Sequence, residues 1–151
     1  MSADHERLDA LLDTAIRSDG SIDDETWTQF RRGLLTHIGI EEKILFPEVR
    51  ARGGSVELQE RLHRDHAVLA ALLVPPPTQR EIDLVREILR DHNPLEEGPG
   101  GFYESVEALT GDELAPMVER ARNYPLVPVA PYSDTPHLRR SIEMLLKKAG
   151  R

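Results

Sequence analysis

The chain has no cysteine. That excludes disulfides, thiolate zinc sites, iron–sulfur clusters and a cysteine nucleophile, so any bound metal must be held by histidine and carboxylate. It also lacks an apolar run near the ~20 residues of a membrane span, and MSADHERLDA at the start has no signal-like apolar stretch. A cytoplasmic location with no membrane partner is the expectation. Basic residues are outnumbered too, 19 Lys and Arg against 27 Asp and Glu. The formal net charge is −8, which argues against nucleic acid and anionic membrane surfaces. No period-two alternation of the kind that marks strands stands out. Aromatics are few, at 5%.

What the sequence does have is an echo. HIGIEEKILFPE from His37 to Glu48 is answered by HNPLEEGPGGFYE from His92 to Glu104. Each opens on a histidine, carries a glutamate four residues on (Glu41, Glu96), follows it with a second (Glu42, Glu97), and closes on aromatics (Phe46; Phe102 and Tyr103). Upstream, DHERLDALL from Asp4 is answered by DHAVLAALL from Asp65. The order is Asp-His-apolar and then His-x-x-x-Glu-Glu, twice over.

At 151 residues the chain has room for one real core. Turn-forming residues divide it. Helix 1 is predicted from Ser2 to about Arg17, ended by Ser-Asp-Gly-Ser at 18–21. Helix 2 starts at Asp23 or Asp24 and can reach Arg52, with Pro47 as a kink. Helix 3 runs from Ser55 to Leu73, and helix 4 from Thr78 to Glu97, with Pro94 expected to disturb its last turns. Shorter helical stretches are predicted from Phe102 to Leu109 and from Asp112 to Asn123. Three prolines in 124–132 demand an extended strap, and a last helix spans Thr135 to Ala149. The predicted architecture is all-α: an up-down-up-down four-helix bundle over residues 1–123, with a proline-rich strap and a C-terminal helix over 124–151 packing on or beside it.

The helical stripes single out the chemistry. Residues at steps of three and four share a face. Helix 1 gives His5, Leu8, Leu12 and Ala15; helix 2 gives Phe30, Leu34, His37, Glu41 and Ile44. Helix 3 gives Leu62, His66, Leu69 and Leu73; helix 4 gives Ile82, Val85, Leu89, His92 and Glu96. Every apolar stripe holds a histidine, and two add a carboxylate one turn later. A lone histidine on such a face is more often a hydrogen-bonded core residue; the repetition changes the reading. A buried carboxylate costs several kcal/mol unless it is paired or bound to metal, and a cation cluster compensates both at once. Glu42 and Glu97 are turned a further ~100° and are expected at the surface, with hydrogen bonding to an inward histidine as the alternative. Trp27 and Tyr103 are expected to pack in the core or at its rim. Depth agrees for His5 and His37, at about 14 and 16 residues from their turn, but His66 and His92 are mismatched by ~9 Å across theirs, which a helix offset or Pro94 must absorb. Imidazole with carboxylate suits iron, manganese or zinc. Six protein ligands exceed what one catalytic zinc takes and fit two metals bridged by carboxylates.

With these residues in place the sequence resembles the hemerythrin-like family, the HHE cation-binding domains. The resemblance covers about residues 4–109 and rests on DH…HxxxEE…DH…HNxxEE, with Tyr-Pro at 124–125 and the strap behind it. It implies a four-helix bundle around two non-haem iron ions. It implies that His5, His37, His66 and His92 ligate iron, that Glu41 and Glu96 bridge the pair, and that an open position takes dioxygen, nitric oxide or peroxide. Reversible binding, sensing and an oxidoreductase activity toward nitric oxide or peroxide all use the same ligands. The sequence also departs from the family. The fifth histidine of oxygen carriers, four residues before the helix 3 ligand, is Leu62 here, and His63 stands three before His66 as a possible additional ligand. Pro94 and Gly-Pro-Gly-Gly at 98–101 replace a regular turn and are expected to distort or open the site near Glu96. The cysteine-bearing segment of iron–sulfur repair relatives is absent. His137 lies outside the repeat and reads as surface. The alternative reading is a helical interaction module with a structural or other-cation site, zinc or manganese, whose C-terminal segment docks a partner or forms a homodimer.

Overall fold

The computed structural model describes residues 1–151, and it is all-helical. α1 is Ser2–Ala15, α2 is Asp24–Ile40, α3 is Phe46–Ala51, α4 is Val56–Leu72 and α5 is Gln79–Glu97. α6 is Phe102–Thr110, α7 is Leu114–Arg122 and α8 is Pro136–Lys148. A π-helical turn, Glu41–Leu45, joins α2 to α3 without a break, and a 3₁₀ turn, Gly111–Glu113, joins α6 to α7. The only extended pairing is a single antiparallel bridge between Ile16 and Ile22 that closes the first turn. No helix is long and apolar enough to cross a membrane.

Local chemistry sets the helix starts. The Asp23 carboxylate accepts from the Glu25 N–H, the Ser55 hydroxyl from Leu58 and the Thr135 hydroxyl from Leu138, satisfying first-turn donors that otherwise have no partner. Thr78 and Glu81 form a reciprocal capping box at α5. α1 packs along α2, α4 along α5, and α8 lies on α4. Every residue of the four predicted stripes is buried.

The irregularity lies in the half that the sequence marks as regular. α5 runs unbroken through Pro94 to Glu97, whereas the helix after His37 widens: the Phe46 N–H bonds to the Glu41 carbonyl, five residues back. Pro47 follows at once. A proline ring crowds the carbonyl four residues before it, and a wider turn relieves that clash. His66 and His92 nevertheless meet, with ring centroids 4.9 Å apart, and α5 runs unbroken through Pro94, so a break at that proline does not bring them together. Residues 73–78 between α4 and α5 include three consecutive prolines, and an extended proline segment rises ~3.1 Å per residue, so three of them can carry the chain ~9 Å past the end of α4.

The apolar residues form two clusters. The larger holds 16 buried residues, among them Leu8, Trp27, Phe30, Leu69, Ile82 and Leu146. Trp27 stacks on Phe30 there, fully buried, as expected of a core residue. The smaller holds 8, among them Ile44, Phe46, Leu62, Phe102 and Met117. Along α2 and the π turn that continues it, Leu34 belongs to the first and Ile44 to the second; on α4, Leu69 and Leu62 do. His37, Glu41 and His66 fall between them, so a polar layer divides the core.

Residues 124–135 carry no helix and bond backward along α2. The Val127 N–H donates to the Thr36 hydroxyl (2.9 Å), Arg31 donates to the Ala130 carbonyl (3.0 Å) and lies over the Tyr132 ring (4.5 Å), and the Tyr132 hydroxyl donates to Asp24 (2.6 Å). Beyond it, Arg139 of α8 pairs with Glu81 of α5, and Arg151 lies 3.5 Å from Asp65 and 3.0 Å from Asp91.

Candidate metal centre

The polar layer contains His5 from α1, His37 from α2, Glu41 from the π turn, His66 from α4, and His92 and Glu96 from α5, none more than 5% exposed. The structure therefore brings the six predicted residues together. They form two histidine pairs: His5 with His37 (ring centroids 4.7 Å apart) and His66 with His92 (4.9 Å). Each glutamate reaches across both. Glu41 Oε1 is 3.0 Å from His37 Nε2 and 3.7 Å from His66 Nε2; Glu96 Oε1 is 3.3 Å from His5 Nε2 and 3.1 Å from His92 Nε2. His5, His37 and Glu96 offer three donor atoms within 4.8 Å of one another, and so do His66, His92 and Glu96.

Around this layer each histidine meets a further carboxylate at Nδ1. His37 faces Asp4 (2.8 Å), His92 faces Asp65 (3.1 Å), His66 faces Glu42 (2.7 Å) and His5 faces Glu97 (2.9 Å). The pattern has an internal two-fold: the aspartate of each Asp-His pair serves the histidine of its own half, and the second glutamate of each Glu-Glu pair serves the other half. An ionised carboxylate only accepts, so Nδ1 carries a proton in each pair; a neutral ring then turns its Nε2 lone pair inward, while His37, whose pKa is raised, also holds a proton at Nε2 that a metal would displace. Glu42 and Glu97 thus hold inward histidines, the alternative expected of them, while Glu97 also sits at the surface as first expected, 36% exposed. Glu42 holds its histidine from the π turn and Glu97 from the last residue of α5. The aspartates are steadied in turn, Asp4 by Arg7 (2.7 Å) and Asp65 by Arg151 (3.5 Å).

These surroundings move the protons. Burial opposes charge on His37, but Glu41 and Asp4 outweigh it and hold its pKa up at about 9. Burial opposes ionisation of Asp4, but His37 and Arg7 hold it down at about 2. Burial pushes His5 and His92 below the usual imidazole range. Burial opposes ionisation of Glu41, yet the imidazoles around it, His37 first, keep its pKa below the ordinary value.

Tyr103, expected only to pack, reaches the layer with its hydroxyl. It donates to Glu41 Oε2 (3.3 Å) and lies 3.1 Å from His5 Nε2 and 3.3 Å from His37 Nε2. Burial, with the Glu41 carboxylate beside it, pushes this phenol far above its usual range. His63 stays at the surface, 67% exposed, bonded to Glu42 (2.9 Å) and outside both donor sets. His137 is exposed. Pro94 and the 98–101 loop do not open the site, since Glu96 is fully buried. The sequence carried signals for the residues missed. Asp4 and Asp65 stand in the repeated Asp-His pair, and Tyr103 follows the second Glu-Glu pair as Phe46 follows the first, two residues further on.

The residues fit a metal pair. Glu41 Oε1, both oxygens of Glu96 and His66 Nε2 are buried without a hydrogen-bond partner, although nitrogens lie near. Such orphaned groups cost about 1–3 kcal/mol each, more when charged, and cations placed between the pairs satisfy all four. Four imidazoles and two carboxylates with no thiolate suit iron, manganese or zinc. The cavity among them is small, about 10 Å³, near the room of one water. A groove of about 1060 Å³, lined by α1, α2, α6 and α7, ends at Tyr103.

Fold and site together define an all-helical cation-binding domain built on histidine and glutamate groups. Residues 1–99, about two thirds of the chain, match the family described as Hemerythrin HHE cation binding domain, and the chain belongs to that family. No curated protein and no solved structure matches it significantly.

Proposed function

We propose that the protein holds two non-haem iron ions, one at His5 and His37 and one at His66 and His92, with Glu41 and Glu96 bridging them, and that it binds or senses a small molecule of the dioxygen, nitric oxide or peroxide class. The observation that carries this reading is the pair of buried carboxylates, each spanning both histidine pairs, with Glu41 Oε1 and both Glu96 oxygens lacking a hydrogen-bond partner. In this reading α1, α2 with its extension through α3, α4 and α5 run up-down-up-down. Residues 1–123 are the bundle, and 124–151 are a strap and helix that brace it.

The protein's own groups do the following. Asp4, Glu42, Asp65 and Glu97 hold the Nδ1 protons and aim the Nε2 lone pairs at the metal positions. Phe46 lies flat on His66, with Phe102 edge-on behind it, keeping bulk water from that side. The cavity of about 10 Å³ admits only molecules of a few atoms. Iron bound there supplies an open coordination position for such a molecule.

The test is an anaerobic titration of the iron-loaded protein with nitric oxide and with dioxygen, followed by optical absorption. An oxo-bridged ferric absorption after dioxygen, and a saturable spectral change with nitric oxide, are expected. A spectrum indifferent to both gases would sink the reading.

A further inference from the structure

The two-fold that relates the halves of the site fails in one place. Phe46 stacks on His66 with ring centroids 5.6 Å apart and planes within 9°. In the matching place of the other half Tyr103 lies against His5, at 5.7 Å and 32°. The two rings are counterparts, and one carries a hydroxyl. That hydroxyl is not at the rim. It lies 3.1 Å from His5 Nε2, 3.3 Å from His37 Nε2 and 3.3 Å from Glu41 Oε2. The histidine and glutamate donors have the same mutual spacing: His5 Nε2 to His37 Nε2 is 3.1 Å, and His37 Nε2 to Glu41 Oε1 is 3.0 Å. For metal–ligand bonds of ~2.1 Å, neighbouring donors sit about 3.0 Å apart in an octahedron and about 3.4 Å apart in a tetrahedron. The Tyr103 oxygen thus has the spacing that a further corner of the same polyhedron would require. No oxygen does this beside His66, where the counterpart ring is phenylalanine.

We propose that Tyr103 is a seventh protein ligand, binding through its oxygen the metal held by His5 and His37, while the metal held by His66 and His92 has no such ligand. The assignment rests on the two-metal reading above. The step balances simply. The phenol O–H bond breaks, an oxygen–metal bond forms, the metal keeps its oxidation state, and one proton leaves. Its exit is at hand, because Tyr103 also lines the groove of about 1060 Å³ that is open to solvent. In the metal-free protein the same hydroxyl keeps its proton and donates to Glu41. Two consequences follow from ligand chemistry. A hard anionic oxygen stabilises the ferric state, so the two irons differ in how readily they are reduced. The more open and more easily reduced iron is the one at His66 and His92, which makes it the position for a small exogenous ligand.

The test is the visible spectrum of the protein loaded with iron and oxidised, with iron per chain measured on the same sample. The expected result is two irons per chain and a phenolate-to-ferric charge-transfer band, with phenolate ring modes in the resonance Raman spectrum excited within it. Tyr103→Phe is expected to keep both irons, lose the band, and release one proton fewer per chain on loading. Two irons per chain with no phenolate band in the unmodified protein would overturn the assignment and leave the two-metal reading standing. So would a band that survives in Tyr103→Phe, which would trace it to Tyr124 or Tyr132. Failure to take up iron at all contradicts the two-metal reading, and this assignment with it. The unmodified protein decides the first question whether or not the variant folds.

Discussion

Each inward histidine is held at Nδ1 by a carboxylate from another helix, and these four contacts make the polar layer a preformed site. Such contacts typically contribute 10–100-fold in metal affinity. Asp65→Asn and Glu97→Gln should each weaken metal binding by about that factor with helical content unchanged, as read by competition against a chelator. Glu96 argues in the opposite sense. Both its oxygens are buried without hydrogen bonds, so in the metal-free protein it is a burden. Glu96→Gln should leave the metal-free fold as stable or up to about 1–3 kcal/mol more stable while lowering metal content; a loss of thermal stability in the metal-free variant would contradict this. The six inward residues were legible in the sequence because each interrupts an apolar stripe. Their supports were less so. Asp4 sits beside His5 but serves His37, thirty-three residues on, and only the packing of α1 on α2 makes that pair.

At the scale of elements, two irregular joints place the site. The π turn carries Glu41 and Glu42. HIGIEEKILFPE satisfies an ordinary helical period, so the widening was hidden, and Pro47 was its one sign. The 98–101 loop ends α5 and starts α6 so that Tyr103 turns back onto His5. Gly100 takes a left-handed conformation (φ +72°), and a Cβ on Gly101 would lie 2.8 Å from the carbonyl oxygens of Leu95, Glu96 and Gly98. Gly101→Ala should therefore cost about 1–3 kcal/mol in denaturant unfolding and should disturb Tyr103. A proline-glycine loop read from sequence as damage to the site is a device for directing a side chain into it. The docking of α8 gives a pH test. Burial opposes ionisation of Glu81, but the Thr78 and Arg139 bonds outweigh it and hold its pKa below the ordinary 4.5. A depressed pKa contributes stability that is fully present above 4.5 and lost as pH falls through the lower folded value. The advantage of the unmodified protein over Glu81→Gln should thus be constant above about pH 5 and vanish with acidification below it. A gap that stays constant into acid would contradict the pairing.

Across the whole molecule, a layer of histidine and carboxylate divides the core into clusters of 16 and 8 buried apolar residues. Buried groups that lack partners burden this layer in the metal-free fold, and a ligand bound only by the folded chain would stabilise the whole by mass action. The helical class and the repeat were legible from periodicity and from Gly and Pro punctuation. The division of the core was not, because it depends on the depth at which α4 and α5 meet, which helical periodicity does not encode. On the proposed function, the six inward residues hold two metal ions. The most direct test is the metal-to-protein ratio after anaerobic loading with ferrous iron and removal of excess, for the unmodified chain and for Glu96→Gln. The account predicts about two irons per chain in the first and a clear loss in the second. A ratio near zero, or one that Glu96→Gln leaves unchanged, would contradict it.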